Sequence, residues 1–430
     1  MAFATVQGAG QLDFIGTPEI DVLVAVNLAQ PSYTGGQDND DSITFNQFET
    51  GVTRNATVRG GKGNDAITSA FAVATSQIFG DDGDDTVTLT GNISTSLISL
   101  GLGNDIFNPG AVALASMNAV TLNGNDGADA INLAGAFNIA NTKILGGPQN
   151  DTLNIGSGAA VAISNSSFNG NNDDDTLNIN TGATSVITNV TFFGGDGNDT
   201  INAAAALQVG SVGFLLSGDL GDDNVTGSAL DDTILLGAGN DTSLGGAGKD
   251  TITGGDGNDT IDGQTGSSNT IIGQGGADDY NGVGAGTVDT FVIEAISNSA
   301  ATTSGTTRGF DRFLAANAFN SGVDKLDLKA VASTLAGGPV NGATVTTNNF
   351  RNVASANNFA ELKTALDASG IVGSNNATIQ VTRVNVAAGT LTGTYLWIND
   401  NQASYNTGDL MFQTAAINQI VGGSTDIVLV

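Results

Sequence analysis

Short stretches of this chain alternate aliphatic and polar residues with a period of two. Thr86-Val87-Thr88-Leu89, Thr152-Leu153-Asn154-Ile155 and Thr176-Leu177-Asn178-Ile179 put Val, Leu or Ile on one side and Thr or Asn on the other. That is the signature of a half-buried strand, whose successive side chains leave opposite faces. The pattern predicts that Ile131, Leu153, Leu177 and Ile201 stack inside the fold. Asn108, Asn132, Asn154, Asn178 and Asn202 hold an equivalent outward position and should form a ladder. The segment from Thr184 to Phe193 reads as a return strand. Residues 378–384, 393–398 and 409–413 alternate again, and Asn358 to Ala368 has helical spacing, with Phe359, Leu362 and Leu366 on one face.

Each strand of the long first part follows a cluster of Gly, Asn and Asp. The last Asp of these clusters falls at 21, 41, 65, 85, 105, 129, 151, 175, 199 and 223, in steps of 20 to 24 residues. Beyond Asp223 the step drops to nine, giving Asp232, Asp241, Asp250 and Asp259. A fixed period of this size predicts a solenoid, in which each coil is too thin to bury a core without its neighbours. Gly-Asn-Asp clusters are also good β-turns. Turn propensity alone does not explain carboxylates stacked about 5 Å apart without compensating charge.

The clearest copies are Gly60-Gly61-Lys62-Gly63-Asn64-Asp65-Ala66-Ile67-Thr68, Gly194-Gly195-Asp196-Gly197-Asn198-Asp199-Thr200-Ile201-Asn202 and Gly254-Gly255-Asp256-Gly257-Asn258-Asp259-Thr260-Ile261-Asp262. They resemble the RTX nonapeptide, whose stacked copies bind Ca²⁺ between coils of a parallel β-roll. The resemblance implies an all-β fold: a right-handed parallel β-roll or β-solenoid with a calcium ladder on one side, followed by a small β-rich C-terminal cap. It implies multiple Ca²⁺ ions, each between adjacent loops and held by carbonyls and Asp carboxylates, a set of hard oxygen donors. Carried onto this chain, one edge holds Asp41, Asp65, Asp85, Asp105, Asp129, Asp151, Asp175, Asp199, Asp223, Asp241, Asp259 and Asp278, and the opposite edge holds sites only near Asp232 and Asp250. The turn glycines expected to direct carbonyls inward are Gly61, Gly63, Gly195, Gly197, Gly246, Gly248, Gly255 and Gly257.

The copies are unequal. Those at 80–88, 124–132 and 218–226 replace a glycine with Asp or Asn. Those beginning at Gly146 and Gly170 lack the second turn glycine, and a weaker or differently shaped site is expected there. The copy ending at Asp21 is the poorest.

Composition sharpens the chemistry. The 430 residues include 12 Lys or Arg against 43 Asp or Glu, a formal charge of -31. Nucleic acid is excluded as a partner, because phosphate contacts need clustered cations. Glu occurs only at 19, 49, 294 and 361, so nearly all the acid is Asp. Such a chain could be disordered, but 40% of it is hydrophobic and regularly placed. Burial is therefore available once oxygen-liganded cations neutralise the charge. There is no Cys and no His, which removes disulfides, the usual zinc sites, His-containing triads and the commonest general base. No catalytic residue is assigned, and an enzyme is not expected. The N-terminus has no cationic region followed by an apolar run, and no segment approaches transmembrane length.

Gly309-Phe310-Asp311 and Asp324-Lys325-Leu326-Asp327-Leu328 resemble the passage that closes β-rolls in serralysin-like secreted proteins. Tyr395-Leu396-Trp397-Ile398-Asn399-Asp400 and the apolar ending Asp426 to Val430 are similar to terminal domains of type I-secreted surface proteins. The expected organisation is a first coil over 1–30, a calcium-binding roll over 31–292, a linker over 293–308 and a secretion or capping domain over 309–430. What this implies is an extracellular, calcium-dependent structural protein. Its expected partners are copies of itself in a sheet or filament, the type I secretion machinery and cell-surface polysaccharide. The competing reading is a calcium-dependent adhesin or glycan-binding module.

Overall fold

The alternating stretches are strands, and each pairs with its counterpart one repeat later. This is seen in a computed structural model that describes residues 39–45, 55–108, 116–133, 138–158, 160–206, 213–264, 268–280 and 289–292, with the backbone of strands outside those ranges. The chain divides into two units, residues 1–220 with 224–229, and residues 221–223 with 230–430.

In the first unit the strands that leave the Gly/Asn/Asp loops form one parallel sheet. Ala66–Ser69 pairs with Thr86–Leu89, and Ala130–Leu133, Thr152–Ile155 and Thr176–Ile179 follow each other in register. The strands that lead into the loops form a second parallel sheet, in which Thr57–Lys62, Gln77–Asp82, Leu97–Leu102 and Thr121–Asp126 are successive neighbours. Parallel pairing of every strand with its successor requires the chain to cross from one sheet to the other and back in each repeat, which is a β-solenoid. Among the described residues all regular structure is strand.

The alternation becomes burial. Ile131, Leu153, Leu177 and Ile201 are buried and pair in sequence as one file. From the facing sheet Ile78, Ile98, Leu122, Ile144, Phe168 and Phe192 fill the other side of the core. Phe168 stacks on Phe192 with ring centroids 4.9 Å apart, and Phe214 meets Phe192 edge-on at 5.5 Å. Each such side chain is worth about 1.5–3 kcal/mol when fully buried, and its contacts lie with the coils on either side. On the outer surface the middle of the expected Asn ladder forms, with the Asn154 amide donating to Asn132 at 2.8 Å and Asn178 to Asn154 at 2.9 Å, while Asn202 accepts the Ala204 N–H at 3.1 Å.

The edge away from the Asp loops is built differently. Thr75, Thr95, Ala119, Asn141, Asn165 and Asn189 turn the corner with φ between 47° and 54°. The next residue is a buried Ser or Thr in four of these coils: Ser76, Ser96, Thr142 and Ser166. Each hydroxyl works twice. The Ser166 Oγ accepts the Thr142 N–H at 3.0 Å and donates to the Ser164 carbonyl at 2.8 Å; Ser76 accepts from Ala56 and donates to Ala74 in the same way. In these four coils the buried corner hydroxyls are satisfied within the chain.

In the second unit the pairing offset is 18 residues in the glycine-rich coils, two nine-residue halves per coil. Thr233–Ala238 pairs with Thr251–Asp256, and Thr242–Leu244 with Thr260–Gln264. Arg312–Phe313 and Lys325–Asp327 extend these two parallel sheets. Further on, Thr346–Val353 lies parallel to Gln380–Val386, which forms an antiparallel meander with Gly393–Asn399 and Leu410–Thr414. The three alternating stretches expected after residue 378 are therefore strands. The helix expected over Asn358–Ala368 and the linker over 293–308 lie outside the described residues.

Candidate metal centre

The glycines named from the sequence all sit in turns with positive φ: Gly61 (115°), Gly63 (111°), Gly195 (126°), Gly197 (146°), Gly246 (98°), Gly248 (114°), Gly255 (118°) and Gly257 (138°). At Gly63 the requirement is also steric, since a Cβ there would lie 2.4 Å from the backbone of Asn39 in the preceding coil. The imperfect copies keep the same turn. Asp81, Asn125 and Asp219 hold φ between 74° and 80°, and Gln149 and Asp173 hold 72°. Asn and Asp enter this region more readily than other side chains. The loops at 146 and 170, where a weaker or differently shaped site was expected, therefore keep a positive φ at the position of the missing glycine.

The turn drives the last Asp of each loop inward. Asp41, Asp65, Asp85, Asp105, Asp129, Asp151, Asp175 and Asp199 are all buried, as are Asp223, Asp232, Asp241, Asp250, Asp259 and Asp278. In the first unit they form one file. Each Asp N–H donates to the Oδ1 of the Asp one coil later, from Asp41 to Asp65 at 2.7 Å, through Asp85, Asp105, Asp129 and Asp151, to Asp175 and Asp199 at 2.7 Å. The second unit has two files. One runs Asp223, Asp241, Asp259, Asp278 and the other starts Asp232, Asp250. The first carboxylate oxygen is thus used up by the fold.

The second oxygen is left over. Oδ2 of Asp65, Asp85, Asp105, Asp129, Asp151, Asp175, Asp241, Asp250 and Asp259 is buried and accepts no hydrogen bond. Buried polar atoms are nearly always satisfied, so a periodic row of orphans calls for a missing partner. Burial pushes these carboxyls up, opposed by the Oδ1 hydrogen bond and reinforced in each by neighbouring aspartates. Asp85, Asp129 and Asp175 reach about 8, Asp65, Asp105, Asp151, Asp250 and Asp259 about 7, and Asp199 about 6. At neutral pH such a group takes a proton or a cation.

The surroundings fit a cation with oxygen ligands. A Cβ placed on Gly60 would lie 2.3 Å from Asp65 Oδ2 and 2.4 Å from the Gly80 carbonyl of the next coil. At Gly124 the same point lies 2.0 Å from Asp129 Oδ2 and 2.4 Å from the Gly146 carbonyl. The first glycine of the loop therefore leaves open a cradle in which a carboxylate oxygen and a carbonyl oxygen from successive coils converge. Leu100 and Leu236 hold this first position in their copies. Among the described residues no three His, Cys, Asp or Glu side chains gather at one point. A site here would take one or two carboxylates and several carbonyls, a donor set for Ca²⁺ and not for zinc. The Asp side chains and loop carbonyls of adjacent coils would hold it.

Three features escaped the sequence reading. The fifth loop residue makes its own exposed ladder, in which Asn64 N–H donates to Asp40, Asp84 to Asn64 and Asn104 to Asp84 at 2.8–2.9 Å. Its signal was the recurring Asn or Asp beside each buried Asp. The second file of the second unit also continues past Asp250, where sites on that edge were expected to end. Asp250 N–H donates to Asn269 and Asn269 N–H to Asp289. The signal was Asn269-Thr270-Ile271 and Asp289-Thr290-Phe291, the repeat's strand start without its glycines.

The third feature is that Asn269 binds the carbonyl that Asp250 Oδ2 faces from the preceding coil, that of Gly263. Its amide Nδ2 donates to the Gly263 carbonyl at 3.0 Å, so carbonyl and side chain meet directly. Asn269→Asp removes that donor and leaves an orphaned oxygen in its place. The variant should bind one more Ca²⁺ than the parent by isothermal titration calorimetry and fold less readily without calcium; an unchanged ion count contradicts the cradle.

A family model of the RTX calcium-binding nonapeptide repeat matches the chain in four copies, over residues 189–205, 217–252 and 235–268. No curated protein matches this chain.

Proposed function

We propose, for a chain that is an RTX β-roll with calcium-binding repeats, that calcium entry is its folding switch outside the cell and that the folded protein assembles with copies of itself into a surface layer or filament. The observation that carries the reading is the row of buried Oδ2 atoms with no partner in the fold. A roll that needs a divalent ion in coil after coil is unfolded where calcium is scarce and folded where it is plentiful. This suits passage through the type I secretion machinery as an open chain. The bound ions are the proposed ligands of the aspartate files, and the reading assigns the chain no reaction.

Self-assembly draws on the make-up of the surface. Leu102 and Ile106 are 49% and 40% exposed in the same coil, at the edge that carries the aspartates. Outward apolar side chains beside a calcium-binding edge offer copies of the chain a contact. Chelator-treated protein returned to millimolar calcium should form sheets or fibres visible by negative-stain microscopy. Monodisperse particles with full β structure would reject assembly and leave calcium-coupled folding standing.

A further inference from the structure

The corner opposite the aspartate file of the first unit is a groove of about 480 Å³, built from equivalent residues of four successive coils. One wall carries Thr121, Lys143, Ser167 and Thr191, which stand in register. The other carries Asn141, Asn165 and Asn189, held in the left-handed conformation that turns the chain at this corner. These amides are joined coil to coil. Asn189 donates to Asn165 at 3.0 Å, Asn165 to Asn141 at 3.4 Å and Asn141 to Asn118 at 3.0 Å. Each exposed amide keeps a second N–H and a second lone pair.

Charge selects the ligand. Lys143 is the sole Lys or Arg between Lys62 and Lys249 in a chain of charge -31. It stands in a corner whose four coil segments, residues 116–121, 138–143, 162–167 and 186–191, contain no Asp or Glu. The ammonium is exposed, and among the described residues it makes no ion pair. Polar groups therefore repeat along the groove at the coil rise of about 4.8 Å, close to the length of a sugar residue in an extended chain, with one cation among them.

We propose that this groove binds an extended anionic polysaccharide, a uronic-acid chain lying along the coil-stacking direction. Its hydroxyls meet the Asn and Thr/Ser files and one carboxylate meets Lys143. Charge-assisted pairing with Lys143 sets the preference for acid, and the amide ladder sets the preference for a chain over a single sugar. The groove lies away from the aspartate file, so the proposal goes beyond calcium-coupled folding.

The test uses full-length calcium-loaded protein, an oligogalacturonate, its neutral methyl ester and free galacturonate, with affinities read by isothermal titration calorimetry. The acidic oligomer should bind best and the monomer should bind weakly or not at all. Lys143→Met should weaken the acidic oligomer by about tenfold or more and leave the ester unchanged. Asn165→Gly, which keeps the corner conformation, should weaken both oligomers. Circular dichroism of each variant shows whether folding is intact, which separates groove from roll. Equal affinity of parent and both variants would place the ligand on calcium elsewhere on the surface and overturn the proposal. No binding by the parent, or monomer binding as tightly as oligomer, overturns it as well.

Discussion

In calcium-free buffer the protein should be largely unfolded at pH 7.5 and should gain β structure on acidification to about pH 4.5. The roll buries aspartates whose carboxyls stand at about 6 to about 8 in the fold, against 3.8 when unperturbed. Desolvation is the leading cause in each. Between pH 4 and 8 the metal-free fold therefore holds more protons than the unfolded chain, so its stability falls as pH rises. The contribution is fully present below about pH 4 and is lost as pH passes through the folded values. Calcium reverses the dependence, because it binds the ionised carboxylates of the fold and acid then competes with it. Far-UV circular dichroism across pH 4–8, with and without calcium, should give two curves of opposite slope. A calcium-free protein with full β structure at pH 7.5 would show that the orphaned oxygens are satisfied by other means.

The second large effect separates the two oxygens of one carboxylate. Asp129 lies mid-file, with Oδ1 accepting the Asp105 N–H at 2.8 Å and Oδ2 buried without a partner. Asp129→Asn keeps the acceptor and replaces the orphaned oxygen with a donor, facing the Gly146 carbonyl of the next coil. It should lose calcium from that position, lower stability in calcium and raise stability in chelator at pH 7.5. Asp129→Ala removes both oxygens and strands the buried Asp105 N–H, a cost of about 1–3 kcal/mol in either condition. Urea unfolding with and without calcium reads both variants. Parallel losses for Asn and Ala in chelator would mean that Asp129 acts through shape alone.

Most of the roll was legible because its coils repeat. Once Leu153 and Leu177 alternate with Asn154 and Asn178 at one spacing, parallel register follows, and with it the core file and the Asn ladder. The buried Asp files were legible for the same reason. The plain edge was not, because Ser76, Ser96, Thr142 and Ser166 follow small or polar corner residues that carry no fixed motif. Their shared role appears only when the coils are stacked and each hydroxyl is seen to take a neighbour's N–H. That edge answers with a hydroxyl, satisfied both as donor and acceptor, what the other answers with a carboxylate that has one oxygen too many. Asn269 and Asp289 were missed through reliance on glycines. In the imperfect loops Gln149 and Asp173 reach the left-handed conformation without glycine. The family-model match over residues 217–268 covers the stretch where the spacing drops to nine and the glycines are most regular.

The central claim is that calcium occupies the buried carboxylate files and that the roll folds because of it. The most direct measurement is a calcium titration of chelator-treated protein at pH 7.5, with circular dichroism and bound-ion count read on the same samples. The account predicts a cooperative coil-to-β transition that takes up at least seven ions, one for each orphaned oxygen of Asp65, Asp85, Asp129, Asp151, Asp175, Asp250 and Asp259, whose loops begin with glycine. A full β spectrum before calcium is added, or a transition complete with one or two ions bound, would contradict it.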